Sequence, residues 1–393
     1  MGLFSKRSPS GAKAFAKQPR SDRAIVFFAE DGSSWPHFEP IIEELIGPMQ
    51  QVVSYLTASS SDPILELHRP NLHAFDVSAT MARTFLLQTL DAGVFVATLP
   101  RLGISVFPRS KRADELGTKY VHVFHSMAST HMIYDADGFD NYDAVLCAGP
   151  YMVDEIRARE RVVGLAPKVL VEHGYGRLDS IRNAVGASTS VTARHVNTRP
   201  VVLVAPSWGP TCMFETIGAE VVRALLADDF EVIARPHPET VKRNPHSIER
   251  LRSEFGHDGR FALETDVVSQ ASLHRSDIMV SDWSGAALEY AFGLDRPVVF
   301  IDVPRKVNND NYLELGIEPF EVSVRDKIGS TVRPDDLAQL AGVIRGLIAD
   351  PTGFAETIRD VRADSIFNLG TSALVAAKYL AHTAMPYLQR DTP

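Results

Sequence analysis

Four short polar clusters in this chain each follow an apolar run, and each holds side chains able to move protons or hold anions. In Val121-His122-Val123-Phe124-His125-Ser126, alternation along an extended segment puts Val121, Val123 and His125 on one face and leaves His125 at the exit. An imidazole titrates near working pH, so His125 leaving a strand into a Ser126, Ser129, Thr130 turn suits general-base work; a structural imidazole bonded to that turn fits as well, and His131 leans to the structural role. In Arg235-Pro236-His237-Pro238 the two prolines restrict the backbone around His237, and an Arg beside a rigid His suits a developing phosphate charge; a proline-defined turn facing water is the plainer alternative. Ser281-Asp282-Trp283-Ser284-Gly285 precedes the helical run Ala286–Phe292, and hydroxyls with backbone N–H groups at a helix start make an anion site. Asp282 or Ser284 could equally cap that helix. Glu289, two turns along the same face, could accept hydrogen bonds from a ribose or be a solvated helix charge. In Ala205-Pro206-Ser207-Trp208-Gly209, Ser207 could donate to a phosphate, and Trp208 could stack on a base or pack.

These clusters need a frame that brings strand exits to one edge. Ala24–Ala29, Val52–Thr57, Phe95–Leu99, Val121–Phe124, Ala144–Cys147 and Lys168–Val171 read as short buried strands with helical stretches between them, such as Pro36 to Ile46. Residues 182–199 are polar and aperiodic and read as a connection. The alternation then restarts with Val201–Ala205, Glu231–Arg235, Ile278–Ser281 and Val298–Asp302, followed by a helix over Pro334–Ile348 and a last one over Thr371–Met385 ending before Pro386. The reading is α/β, two Rossmann-like domains facing a cleft: 1–23 a basic flexible leader, 24–181 an N-terminal acceptor domain, 182–199 a linker, 200–350 a C-terminal nucleotide-donor domain and 351–393 C-terminal helices.

Composition narrows the chemistry. The chain has 393 residues, 45% hydrophobic and 23% charged, enough for about two large domains with their own cores. Its 40 Lys and Arg against 49 Asp and Glu give a net charge of −9, which argues against nucleic acid as partner but leaves room for a phosphorylated small molecule held by local groups. Cys147 and Cys212 stand apart with no CxxC, so zinc ribbons and disulfide scaffolds are excluded and a reducing compartment fits. No cluster demands a metal. The beginning has no apolar signal core and no apolar run spans a membrane, so a cytoplasmic protein is expected. The leader's Lys6, Arg7, Lys13, Lys17, Arg20 and Arg23 read as a solvated tail or as a peripheral foot on an anionic membrane face. Glu30-Asp31-Gly32-Ser33-Ser34 reads as a polar turn and lacks the GxGxxG pattern; Gly174-Tyr175-Gly176-Arg177-Leu178-Asp179 is a turn whose Arg177 could face the cleft or pair with Asp179. No GxxxxGK[ST], HExxH or GxSxG occurs.

Taken in order, His125 with its Ser/Thr turn, Phe139-Asp140-Asn141-Tyr142-Asp143, Ala148-Gly149-Pro150, the turn around Gly176, Ala205–Trp208, Arg235–Pro238 and Ser281–Ala291 resemble the CDP-glycerol glycerophosphotransferase family over residues 115–380. The resemblance implies a two-Rossmann GT-B fold and two important histidines, His237 by direct match and His125 with Ser126 where the family has Gly. It implies a phosphate motif at Ser281, Asp282 and Ser284, with Gly285 where the family has Ser. It also implies a CDP-linked polyol donor as substrate with no cofactor, and a glycan or lipid-linked acceptor at the inner face of the cell membrane. The long membrane-binding region of the polymerising members has no counterpart in this sequence, so a single-unit transferase is expected ahead of a large polymerase, with polymerising activity left open. In that scheme His125 takes the acceptor proton, Arg235 and His237 offset charge on the leaving CMP, Ser281–Gly285 and Ser207 hold phosphate, and Glu289 holds ribose. A nucleotide-sugar glycosyltransferase or UDP-sugar epimerase of the same fold, and a non-catalytic nucleotide-binding protein, remain open alternatives.

Overall fold

The computed structural model describes residues 11–187, 199–265, 269–350 and 352–390. Two compact units are formed: one of residues up to His125, Asp135–Arg177 and Phe367 onward, the other of Ser126–Tyr134 and Leu178–Ile366. Each is a Rossmann-like α/β domain.

The first unit has a seven-stranded parallel sheet, β1 Ile25–Ala29, β2 Val53–Thr57, β3 Leu72–Asp76, β4 Val94–Ala97, β5 Lys119–Val123, β6 Ala144–Cys147 and β7 Val169–Glu172, in the order β3-β2-β1-β4-β5-β6-β7. Strands β1, β2, β4 and β6 are buried along their whole length, as apolar runs covered on both faces must be. The order reverses between β1 and β4, so carboxyl ends on either side of that point diverge and leave room for a ligand. Helix Trp35–Ile46 and helix Ser372–Leu388 share this core, the latter through Ala376, Ala377, Leu380, Ala384 and Tyr387.

The second unit has β8 Val201–Val204, β9 Glu231–Ala234, β10 Phe261–Leu263, β11 Ile278–Ser281, β12 Val298–Ile301 and β13 Gly329–Val332, all parallel, in the order β10-β9-β8-β11-β12-β13. Here the reversal lies between β8 and β11. Three of the four candidate clusters, those after β8, β9 and β11, leave these strands at one edge.

Several expectations need correction. Residues 11–23 of the expected flexible leader are folded: Gly11–Ala16 is a helix whose Phe15 is buried edge-on against Phe75, Arg20 lies over the Tyr387 ring, and Arg23 pairs with Asp91 at 2.6 Å. Burying one aromatic ring outweighs the solvation of its basic neighbours, which stay on the outside. Residues 1–10 of that leader lie outside the described residues, as do 188–198 of the expected linker; its first residues, 182–187, continue a helix over Gly176–Ala187. The C-terminal helices divide: Ala355–Ser365 belongs to the second unit, Ser372–Leu388 to the first. That last helix runs through Pro386 instead of stopping before it. Pro334–Gln339 is a 3₁₀ segment with a kink at Asp336, and the α-helix proper begins at Leu340. Three strands, β3, β10 and β13, escape the apolar-run reading because their residues are only partly buried at sheet edges.

Candidate active site

In the second unit the exits of β8, β9, β11 and β12 present one group of residues. Asp282, almost wholly buried, is its fastening: Oδ1 accepts from the amides of Ser207 and Trp283, both at 2.6 Å, and Oδ2 accepts from the amide of Met213 at 2.8 Å. Ser281 donates its hydroxyl to Ala205 O at 2.7 Å. These two residues therefore lock the β8 and β11 exits together. Ser284 caps the helix Gly285–Leu294, its Oγ accepting from Ala286 N at 3.3 Å. Glu289, expected either on ribose or in solvent, lies buried within that helix.

His237 follows β9 and caps the short helix Pro238–Arg243, its Nδ1 accepting from Glu239 N at 3.1 Å. An Nδ1 that accepts must be unprotonated, so the neutral ring carries its proton on Nε2 and presents a donor there. Arg235 is buried and turned toward the segment Ser269–Ser272, donating to Ser272 Oγ at 2.9 Å and Ser269 O at 2.7 Å with Glu264 at 3.7 Å, so these contacts make it a brace.

Cations that the sequence reading passed over complete the group. Lys306 Nζ stands 4.2 Å from the centre of the Trp208 ring, which also lies 6.1 Å from the His237 ring. Burial pushes the Lys306 ammonium down to about 8, against the pull of nearby Asp282. Arg325 packs its guanidinium 3.9 Å from the Trp283 ring and 4.7 Å from that of Phe300. Burial likewise lowers Arg325, to about 10. Trp208 and Trp283 thus serve as platforms for cations, a third use beside base stacking and packing. The only hint of Lys306 in the sequence is its place just past an apolar strand; Arg325, in mid-helix, carries no local sign at all.

In the first unit His125 stands exposed past β5, where alternation puts it. His37, in the first turn of helix Trp35–Ile46, lies beside it with ring centres 6.2 Å apart, and Tyr175 Oη lies 3.3 Å from His37 Nδ1. Burial, with Arg177 and His125 nearby, holds the His37 imidazole well below its ordinary range and so neutral. His37 was not singled out by its sequence context, although a His in the first turn after a central strand is a recognisable placement. His131 is a structural residue of the second unit, its Nε2 bonded to Ile317 O at 3.1 Å. Among the described residues no group of three or more His, Cys, Asp or Glu gathers as a metal site.

Structures of the wall teichoic acid polymerase TagF share this fold. One, with CDPG, is 13% identical over 96% of this chain and 93% of that one with a TM-score of 0.60, and another is 12% identical over 94% and 91% with a TM-score of 0.62. The UDP-GlcNAc 2-epimerase from Neisseria meningitidis bound to UDP-GlcNAc is similar to the same extent, 12% identical over 91% of this chain and 99% of that one with a TM-score of 0.59. At such identities the likeness speaks for the fold alone. No curated protein matches the sequence. The family described as CDP-Glycerol:Poly(glycerophosphate) glycerophosphotransferase matches residues 14–307, the greater part of the chain, and the protein therefore belongs to that family of transferases.

Proposed function

We propose that this protein transfers a glycerol-phosphate unit from a CDP-linked donor to a hydroxyl of a glycan or lipid-linked acceptor. The observation that carries the reading is the gathering of Lys306, Arg325, the His237 Nε2 donor and the start of helix Gly285–Leu294 at one edge of the second sheet. A diphosphate needs this kind of local positive field, and a chain of net charge −9 has to assemble it deliberately.

In the reaction the acceptor oxygen attacks the phosphorus that bears glycerol, the bond from that phosphorus to the bridging oxygen of CMP breaks, and CMP leaves with the electron pair. His125 accepts the acceptor's proton. His237 donates from Nε2 to the departing phosphate, whose growing charge Lys306 offsets. Positioning and electrostatics supply most of the catalysis in such transfers. Ser281, Asp282 and Arg235 act by holding the loops in place.

Mass spectrometry of products from CDP-glycerol and a crude lipid-linked glycan extract tests the reading; a glycerol-phosphate increment on the acceptor together with CMP is expected. A thermal-shift panel of CDP-glycerol, CDP-ribitol, UDP-sugars and CMP-sialic acid separates the alternatives, and stabilisation by the UDP-sugars only would overturn it. Peripheral contact with an anionic membrane belongs to the same proposal, and Lys13, exposed on the first helix, and Lys17, exposed just past its end, are suited to it. Sedimentation with phosphatidylglycerol vesicles, lost on replacing both lysines by Gln, checks it. No helix among the described residues is long and apolar enough to cross a membrane.

A further inference from the structure

We propose that Ser126 is a donor-phosphate ligand, its hydroxyl standing where a side chain at position 285 would otherwise be. This rests on the donor reading above and deepens it. A Cβ placed on Gly285, the first residue of helix Gly285–Leu294, would overlap Ser126 Oγ and stand 3.2 Å from Ser126 Cβ. Only one of the two positions can carry a side chain. The hydroxyl is thus delivered to the helix start from the segment Ser126–Tyr134 of the same unit, one residue past the Ser284 cap. Ser126 Oγ is already oriented, accepting from Ala128 N at 3.2 Å, which leaves its own hydrogen to donate. The segment is held in place independently: Ser129 donates from N and Oγ to the Glu321 carboxylate at 2.9 and 3.0 Å, and Asn308 N bonds Met132 O at 3.0 Å.

A separate observation is a cation with unmade donors at this edge. Arg325 is 6% exposed; its Nη2 donates to Ile301 O at 3.2 Å and lies 3.7 Å from Asp302 Oδ1, while Nε and Nη1 have no hydrogen-bond partner among the described residues. Its guanidinium lies against Trp283, next in sequence to the Ser284 cap. Leaving such donors unmade is costly unless a ligand completes them.

Calorimetric titration with CDP tests the assignment. Wild-type protein binds CDP. Ser126→Ala and Ser126→Gly weaken binding about 10-fold or more, the scale of a hydrogen bond to a charged acceptor. Gly285→Ser alone also weakens it, because the two side chains collide. Ser126→Gly combined with Gly285→Ser returns to within about threefold of wild type. Wild-type affinity in both Ser126 variants, or a double variant no better than Ser126→Gly, overturns the role of Ser126 while leaving the donor reading intact. A wild-type protein that ignores CDP overturns the donor reading, and this assignment with it. The Ser126→Ala arm decides the matter even if Gly285→Ser fails to fold.

Discussion

The carboxylate of Asp282 accepts the amide hydrogen of Ser207 at 2.6 Å, tying the exit of β11 to the exit of β8 across the point where the strand order reverses. Its two oxygens accept from three amides, and the side chain is almost wholly buried, so its hydrogen bonding is directed at the loops. Asp282→Asn puts an NH₂ group opposite an amide donor. We expect a loss of about 1–3 kcal/mol in unfolding free energy by urea titration, with weaker CDP binding as a consequence of loosened loops. Unchanged stability would remove Asp282 from the role of fastening.

On the proposed function, Lys306 should make CDP affinity depend on pH. Burial brings its ammonium down to about 8, so its charge is present below that value and disappears above it. CDP affinity should therefore fall between pH 7 and 9. Lys306→Arg, charged throughout that range, flattens the fall, and Lys306→Gln lowers affinity with little pH dependence left. Titration calorimetry across the three proteins reads the difference.

His237 combines a cap with a donor, and one substitution separates them. Asn caps helices well and can accept from Glu239 N in place of Nδ1, but it offers nothing at the position of Nε2. His237→Asn should keep the melting temperature of wild type and lose about 10²–10⁴-fold in turnover. Equal turnover in both proteins would show that Nε2 does no chemistry.

The first unit carries buried neutral imidazoles that make it acid-sensitive. Burial holds His122 well below its ordinary 6.5 and lowers His173 to about 4. The unfolded chain protonates both near 6.5 while the folded chain does not, so stability is complete above that value and falls as pH drops toward 4. Each contributes a slope of up to about 1.4 kcal/mol per pH unit. His122 is packed among the rings of Phe124, Phe139 and Tyr142, so His122→Phe suits its surroundings. Urea unfolding at pH 7 and pH 5 should show a smaller loss for that variant than for wild type.

Phe15 anchors the beginning of the described chain, with 1% of its surface exposed. Phe15→Ala should cost about 3–5 kcal/mol, a scale typical of a buried ring, whereas Lys17→Ala, exposed two residues on, should be nearly neutral. A marginal effect of Phe15→Ala in thermal unfolding would return this segment to the status of a loose leader.

Much of the frame is written locally. Short β-branched apolar runs such as Ile25–Ala29 and Val201–Val204, bounded by turn residues, read as strands buried on both faces, and a polar cluster directly after such a run emerges at a sheet edge, which is why the placement of His125, Ser207, His237 and Ser284 is legible in the sequence. The weaker edge strands β3 and β13 were not, because half-buried residues alternate too little to declare themselves. What tertiary structure alone decided is the division of labour. Asp282 and Arg235 have the right side chains to hold a donor, yet folding spends them on amides and neighbouring oxygens, while Lys306 and Arg325 arrive from elsewhere to supply positive charge. Likewise Ser126 and Gly285 lie far apart along the chain, and nothing local says that one occupies the space of the other. Residue type sets what a side chain can bond, but the nearest partner claims it, and which partner is nearest is a property of the packed chain.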